Sequence, residues 1–143
     1  MIKIRLARTE DVERITALGE QLGYPSSPEQ VRQRFQQIQH RDDHAVYVAE
    51  RADGRLVGWV HVFIRQLLVA DLHVEIGGLV VDEAHHRRKI GKLLMEQAER
   101  WAKEKGCQAV YVRSNVVREG AHAFYERIGY VNIKLSKVFR KAL

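Results

Sequence analysis

The stretch that decides the fold runs from residue 79 to residue 94 and reads LVVDEAHHRRKIGKLL. An apolar strand ends in it, a short basic loop follows, and an amphipathic helix begins with a glycine in its first turn. Free N–H groups at a helix start attract phosphate oxygens, and nearby arginine and lysine add charge-assisted hydrogen bonds. Taken alone, the stretch fits a phosphate-binding loop and a solvated basic helix start about equally well.

The pattern on either side of this stretch predicts one α/β or α+β domain over residues 1–143, with a mixed sheet and helices on both of its faces. Alternating or continuous apolar residues predict strands over 2–7, 45–50, 56–64, 72–81 and 108–114, with one or two closing strands within 130–142. Helical spacing predicts helices capped by Thr9 and by Ser27, and two more over about 89–105 and 118–128. The turn Asp53-Gly54 indicates an antiparallel hairpin, whereas the strand–helix–strand unit from 72 to 114 predicts a right-handed parallel crossover.

The formal net charge is +6, with 24 Lys and Arg against 18 Asp and Glu, which favours an anionic ligand. The dense basic cluster at 85–92 has no aromatic residue except histidine, so it favours a compact phosphate site over a nucleic-acid surface. We find no apolar run long enough for a membrane span and no signal-peptide pattern. The single cysteine, Cys107, cannot form an internal disulfide. We therefore expect a cytoplasmic protein without a membrane or nucleic-acid partner.

A second motif follows the strand at 108–114. Its residues are Ser114-Asn115, Arg118, Ala121-His122, Phe124-Tyr125-Glu126 and Gly129-Tyr130. Together with Leu79-x-Val81 and Gly91, it resembles the GNAT superfamily of N-acetyltransferases. In that family a Leu-x-Val strand leads into an Arg/Gln-x-x-Gly-x-Gly/Ala loop, and Ala-x-x-Phe-Tyr-x-x-x-Gly-Phe/Tyr follows later. Two positions depart from the pattern, because His86 replaces Arg or Gln and Lys89 replaces the first glycine. The C-terminal half also resembles aminoalkylphosphonate acetyltransferases.

The resemblance implies a mostly antiparallel sheet in which the Leu-x-Val strand is splayed from its parallel neighbour. Acetyl-CoA would be the cosubstrate, with its pantetheine in that gap and its pyrophosphate on residues 86–92. The glycines at 77 and 78 suit such a disruption of the strand. The cofactor-binding residues implied in this way are Leu79, Val80, Val81, His86, Arg87, Arg88, Lys89, Ile90, Gly91, Lys92, Asn115 and Tyr125.

Acetyl transfer to an amine needs a group that removes a proton from the ammonium and a group that protonates the departing thiolate. The resemblance points to Tyr125 as the acid, the alternative being a half-buried aromatic of an amphipathic helix. It points to Glu75 as the base, acting through a water, the alternative being an exposed strand carboxylate. Alternation places His73 on the same face as Glu75. His85 and His86 are adjacent and therefore lack the spacing of a helical metal site, so we expect no metal.

These features predict an N-acetyltransferase that moves acetyl from acetyl-CoA directly to a primary amine, expected to belong to a small molecule. Three alternatives stay open at this point: an idle acyl-CoA-binding regulatory domain, a transferase for protein N-termini or lysines, and a small nucleic-acid-binding protein supported only by the charge of +6. The resemblance is also compatible with a homodimer.

Overall fold

The computed structural model describes residues 1–23 and 25–143, apart from the side chains of residues 86–88. Its strands are β1 (Ile2–Leu6), β2 (His44–Arg51), β3 (Leu56–Leu67), β4 (Ala70–Val81) and β5 (Val110–Val112). Its α-helices are α1 (Val12–Glu20), α2 (Pro28–Ile38), α3 (Ile90–Glu104) and α4 (Glu119–Arg127), and single 3-10 segments cover Thr9–Asp11 and Glu83–Arg88. The described residues form two compact units, Met1–Val112 and Arg113–Leu143, which we describe separately.

The first unit is built on a five-stranded sheet in the order β1-β2-β3-β4-β5. The first three pairings are antiparallel and the β4–β5 pairing is parallel, which confirms the predicted mixed sheet. Successive side chains of a strand point to opposite faces. Trp59 donates its indole N–H to the Ile15 carbonyl of α1, whereas an added Cβ at the adjacent Gly58 would meet Ile90 and Leu94 of α3. The helices α1 and α3 therefore cover opposite faces of the sheet, as predicted.

The long helix α3 supplies most of the core on its face of the sheet. Its buried residues are Ile90, Leu94, Met95, Ala98, Trp101 and Ala102. The helical spacing of the sequence predicts a buried face of Ile90, Leu93, Leu94, Ala98, Trp101 and Ala102. Five of these are buried, but Leu93 is 36% exposed and Met95 is fully buried instead. The buried stripe is centred between Leu94 and Ala98, so at 100° per residue Leu93 falls on its outer flank.

The two predicted helix caps have different outcomes. Ser27 caps α2 as expected: its hydroxyl accepts the Gln30 N–H at 3.1 Å, and the Gln30 side chain accepts the Ser27 N–H at 2.9 Å. Thr9 does not cap the first helix, so that prediction is wrong. The chain enters α1 through a 3-10 turn in which Asp11 Oδ2 accepts the Arg8 N–H at 2.8 Å, because a carboxylate is a stronger acceptor than a hydroxyl.

The second unit contains α4, and Tyr125 is its buried residue. Helical spacing in the sequence predicts that Ala121, Phe124 and Ile128 point inward, but in the structure they are only half-buried. The closing strands predicted within 130–142 do not form, and Val131, Ile133 and Leu135 are exposed. Alternation predicts which side chains share a face, but a strand also needs a partner strand with free hydrogen-bonding groups.

We predict that Gly58→Ala destabilises the first unit. The new methyl carbon would lie 2.9 Å from the Val80 carbonyl oxygen and 3.1 Å from Leu94 Cδ1, so α3 and β4 would have to shift. Overpacking of this kind lowers the free energy of unfolding by about 1–3 kcal/mol, which urea denaturation would measure. Gly120→Ala is the matched control, because an added Cβ there meets nothing within 4 Å. Equal stability of the two variants would contradict the proposed close approach of α3.

Candidate active site

The pairing of β3 with β4 is interrupted at Gly77. His61 pairs with Gly78 and Val62 pairs with Ile76, so Gly77 is the extra residue of a β-bulge. A methyl group at position 77 would lie 2.5 Å from His61 Nδ1, and one at position 78 would lie 2.9 Å from the Trp59 ring. Glycine is required at both positions because two aromatic rings lie against the backbone of β4. This confirms the disruption predicted from the paired glycines.

The same bulge marks the end of the parallel pairing. Within the described residues, β4 pairs with β5 at Val74, Glu75 and Ile76 only, although β4 continues to Val81. The parallel pairing therefore ends immediately before Gly77.

The start of α3 suits an anionic group. Its N-terminal turn has no side-chain cap and no acidic residue, whereas α1, α2 and α4 each begin with a glutamate in the first turn. Lys89 and Lys92 are both exposed there. The free N–H groups and the positive end of the helix dipole favour a phosphate at this position.

Lys89 takes over the backbone role of the glycine that it replaces. Its φ of 60° and ψ of 19° lie in the left-handed region, and it is the only non-glycine residue with a positive φ among those described. A lysine in this conformation costs roughly 1–2 kcal/mol. The turn into α3 therefore has a backbone conformation that glycine adopts without strain, although a lysine occupies it.

The basic loop before α3 is anchored by Asp82, at the end of β4. Asp82 Oδ2 accepts a hydrogen bond from Arg14 of α1 at 3.1 Å, and Oδ1 accepts the Ala84 N–H at 3.3 Å. Burial acts to raise the pKa of Asp82, but the hydrogen bonds from Ala84, Gln21 and Arg14 outweigh it, so this pKa is lowered. The loop backbone forms the 3-10 segment Glu83–Arg88. The predicted phosphate contacts of His86, Arg87 and Arg88 involve side chains outside the described part of the structure.

Glu75 is buried, with 5% of its surface exposed, so it is not an exposed strand carboxylate. Arg65 of β3 donates from Nη1 to Glu75 Oε1 at 2.7 Å, and His73 Nε2 lies 3.5 Å from the same oxygen. This confirms that His73 and Glu75 share a face. The Tyr111 ring of β5 packs on His73 with 4.1 Å between ring centroids. Arg65 and Tyr111 were missed in the sequence. Arg65 lies just beyond the predicted strand 56–64, whereas Tyr111 lies within the predicted strand 108–114.

Two histidines lie beside this cluster on the same sheet face. His44 Nδ1 and His61 Nε2 are 2.9 Å apart, and both rings contact Phe63, the register partner of Glu75. Burial, with a smaller contribution from His44, lowers the pKa of His61 to about 4, and burial also lowers the pKa of His44. Both rings are therefore neutral at pH 7, and one donates its hydrogen to the other.

The second unit carries the other two predicted site residues. Asn115 forms a local turn, in which Oδ1 accepts the Val117 N–H at 3.1 Å, and its carbonyl lies 2.9 Å from His122 Nε2. The Tyr125 ring packs edge-on against Phe124 and Tyr130, and burial raises the pKa of its hydroxyl. Tyr125 therefore keeps its proton at neutral pH.

Two further findings concern metal binding and membrane spans in the described residues. They contain no group of three or more His, Cys, Asp or Glu placed to hold a metal ion. No helix in this part of the chain is both long and apolar enough to cross a membrane.

Comparison with known proteins defines the class. The profile of the acetyltransferase (GNAT) family matches residues 9–130, so the chain belongs to that family. This confirms the resemblance carried by the two motifs, and the protein is an acetyl-CoA-dependent N-acetyltransferase.

Individual relatives share between 23% and 32% sequence identity with this chain. An aminoglycoside N(6')-acetyltransferase type 1 of Serratia marcescens is 23% identical over 125 residues, which are 84% of this chain and 86% of that protein. An aminoalkylphosphonate N-acetyltransferase of Salmonella typhimurium is 32% identical over 90 residues, 62% of this chain and 58% of the relative. The structure of glucosamine-6-phosphate N-acetyltransferase from Arabidopsis thaliana superposes with a TM-score of 0.81 at 28% identity, covering 98% of this chain and 99% of that one.

We predict that acidification destabilises the protein through His61. The unfolded chain binds a proton at this residue near pH 6.5, whereas the folded chain binds it only near pH 4. The stabilisation is therefore complete above pH 6.5 and is lost as the pH falls towards 4, by up to about 3 kcal/mol. Urea denaturation at several pH values between 4.5 and 7 would measure it. A His61→Gln variant should show a flatter dependence, and identical slopes for the two proteins would refute the assignment.

Proposed function

We propose that the chain, as one catalytic domain over residues 1–143, acetylates the primary amine of a small molecule by direct transfer in a ternary complex. The observation that carries the proposal is the β-bulge of β4 at Gly77, which follows the buried Glu75 in the chain and precedes the uncapped start of α3. The names of the relatives support a small acceptor, since they specify aminoglycosides and aminoalkylphosphonates. A cytoplasmic location, which rests on the single cysteine Cys107, and a homodimer, which rests on the family resemblance, belong to the same proposal.

The proposed cofactor site follows β4 into α3. Acetyl-CoA supplies the acetyl group as an activated thioester. The backbone of residues 79–81 would bind its amide groups along the separated strand, and a backbone N–H near Leu79 would polarise the acetyl carbonyl. The N–H groups of Ile90, Gly91 and Lys92, with the side chains of residues 86–89, would hold the pyrophosphate. The family resemblance adds Asn115 to the proposed cofactor-binding residues.

Glu75 is the proposed base. A primary ammonium must lose a proton before its nitrogen can attack, and a carboxylate can accept that proton through a water. The Arg65 guanidinium pairs with this carboxylate at 2.7 Å and so holds Glu75 in a fixed position on β4. The buried position also requires that the proton travels through a water rather than by direct contact.

Tyr125 is the proposed acid. Burial keeps its hydroxyl protonated, so it has a proton to give to a thiolate. A thiol has a reference pKa of about 8.5, which makes the thiolate a fair leaving group that needs only modest help.

We predict that the protein releases free thiol from acetyl-CoA when a primary amine is added, and that Tyr125→Phe slows this reaction. Loss of the hydroxyl should lower kcat by about 10²-fold, at the lower end of general acid catalysis, while CoA affinity measured by calorimetry stays the same. Tyr47→Phe, a half-buried tyrosine on the α3 face of β2, is the control and should keep the parental kcat. Bound CoA without turnover of any amine would indicate an idle binding domain, and acetylation of peptides alone would indicate a protein acetyltransferase. An unchanged kcat for Tyr125→Phe would show that Tyr125 is not the acid and only packs in the helix.

We predict that Glu75→Gln lowers kcat/KM for a simple alkylamine, and that the loss shrinks as the pH rises and more free amine is present. If Glu75 only attracts the cation, KM rises and kcat does not change. Asp11→Asn is the matched control, because Asp11 is also a buried carboxylate paired with an arginine, Arg5, at 2.8 Å. The control should lose stability but keep the parental pH profile. Parental constants for Glu75→Gln from pH 6 to 9 would exclude Glu75 from the mechanism.

A further inference from the structure

Arg65 presents an incompletely used guanidinium beside the proposed base. Its Nη1 is fixed on Glu75 at 2.7 Å, and 34% of its side chain is exposed. Within the described residues, Nε and Nη2 of Arg65 make no hydrogen bond, so N–H donors remain available on a group that Glu75 holds in place. A fixed, partly exposed arginine fork is the arrangement that binds carboxylate, phosphate or phosphonate.

The charge of the surrounding sheet face also favours an acceptor that carries an anionic group. Glu75 is the one carboxylate among the described residues of this cluster, and Arg65 compensates its charge. The adjacent His44 and His61 form a hydrogen-bonded aromatic pair with Phe63, which adds no negative charge. The whole chain carries +6. A polycationic acceptor would therefore meet a face with no surplus negative charge on a positively charged protein, which disfavours its binding.

We propose that the acceptor is a small amine that also carries an oxyanion group, and that Arg65 binds this group while Glu75 faces the amine. This inference rests on the proposed function and specifies its substrate class. Because the guanidinium and the carboxylate are in direct contact, the amine nitrogen and the oxyanion would be separated by less than about 10 Å, even with one water between the amine and Glu75. A short aminoalkyl phosphonate, an aminoalkyl phosphate or a short ω-amino carboxylate meets this requirement. An aminoglycoside does not.

The test compares kcat/KM for four acceptors: 2-aminoethylphosphonate, 3-aminopropanoate, propylamine and an aminoglycoside. The parent enzyme should prefer the two anionic amines to propylamine by about 10-fold or more, the size expected for one charge-assisted contact. The ratio between phosphonate and carboxylate then identifies which oxyanion the site is built for. Arg65→Gln should reduce the preference for anionic over neutral amine about 10-fold, and Arg65→Lys should retain part of it, because the charge stays while the fork is lost.

Calorimetry with 2-aminoethylphosphonate and the CoA-bound protein gives a readout that does not depend on turnover, and Arg65→Gln should weaken this binding. Arg41→Gln is the control for net charge: it removes one arginine that is also paired with a carboxylate, Asp43, at 2.8 Å, and it should keep the parental preference. If Arg65→Gln does not fold, kcat/KM of the parent and of Arg65→Lys for the four acceptors still tests the inference.

Equal or better use of propylamine or the aminoglycoside by the parent would overturn the inference and leave the N-acetyltransferase proposal standing. A preference for anionic amines that survives unchanged in Arg65→Gln would also overturn it. Failure to acetylate any of the four, with no CoA binding, would remove the proposed function and this inference together.

Discussion

The site depends on the contact of two aromatic side chains with the backbone of β4. His61 and Trp59 lie so close to Gly77 and Gly78 that no Cβ could be added without displacing a ring. The extra residue of the bulge lets β4 pass these rings, and the pairing with β5 ends one residue earlier, at Ile76. A bulge that re-aims a strand next to a functional site is a recurrent device of β-sheets. Here one local irregularity coincides with the end of the parallel pairing and adjoins the polar cluster.

The electrostatics of the cluster follow from burial. A carboxylate as buried as Glu75 is tolerated only when it is paired and hydrogen-bonded, and Arg65 provides that partner across the β3–β4 pair. The neighbouring histidines avoid a buried charge in another way. Burial lowers the pKa of both His61 and His44, so both rings stay neutral, and one hydrogen bond joins them. The face therefore combines one compensated charge pair with uncharged rings. Under the proposed function, this arrangement would select for the charge pattern of an acceptor as well as for its shape.

The sequence predicts those elements of the fold that depend on residues close together in the chain. Apolar periodicity located α3, the Asp53-Gly54 turn located the β2–β3 hairpin, and the paired glycines located the bulge. It failed where the outcome depends on a partner distant in sequence. Alternation at Val131, Ile133 and Leu135 could not show whether a strand was present to pair with them. Arg65 was missed for the same reason, because its importance comes from the register that sets it against His73 and brings it to Glu75.

Lys89 illustrates how a departure from a motif can be compatible with its function. The position needs a left-handed backbone, and a lysine adopts it at a cost of roughly 1–2 kcal/mol that glycine would avoid. The packing on either side enforces the turn, because Ile90 and Leu94 are fully buried against the sheet while Asp82 fixes the start of the loop. A strained backbone persists only where its surroundings over-determine it. In return, the substitution places a cation at the start of α3, where the proposed function requires a pyrophosphate to bind. Conformational strain is thereby exchanged for a positive charge, at a position where the family motif has glycine.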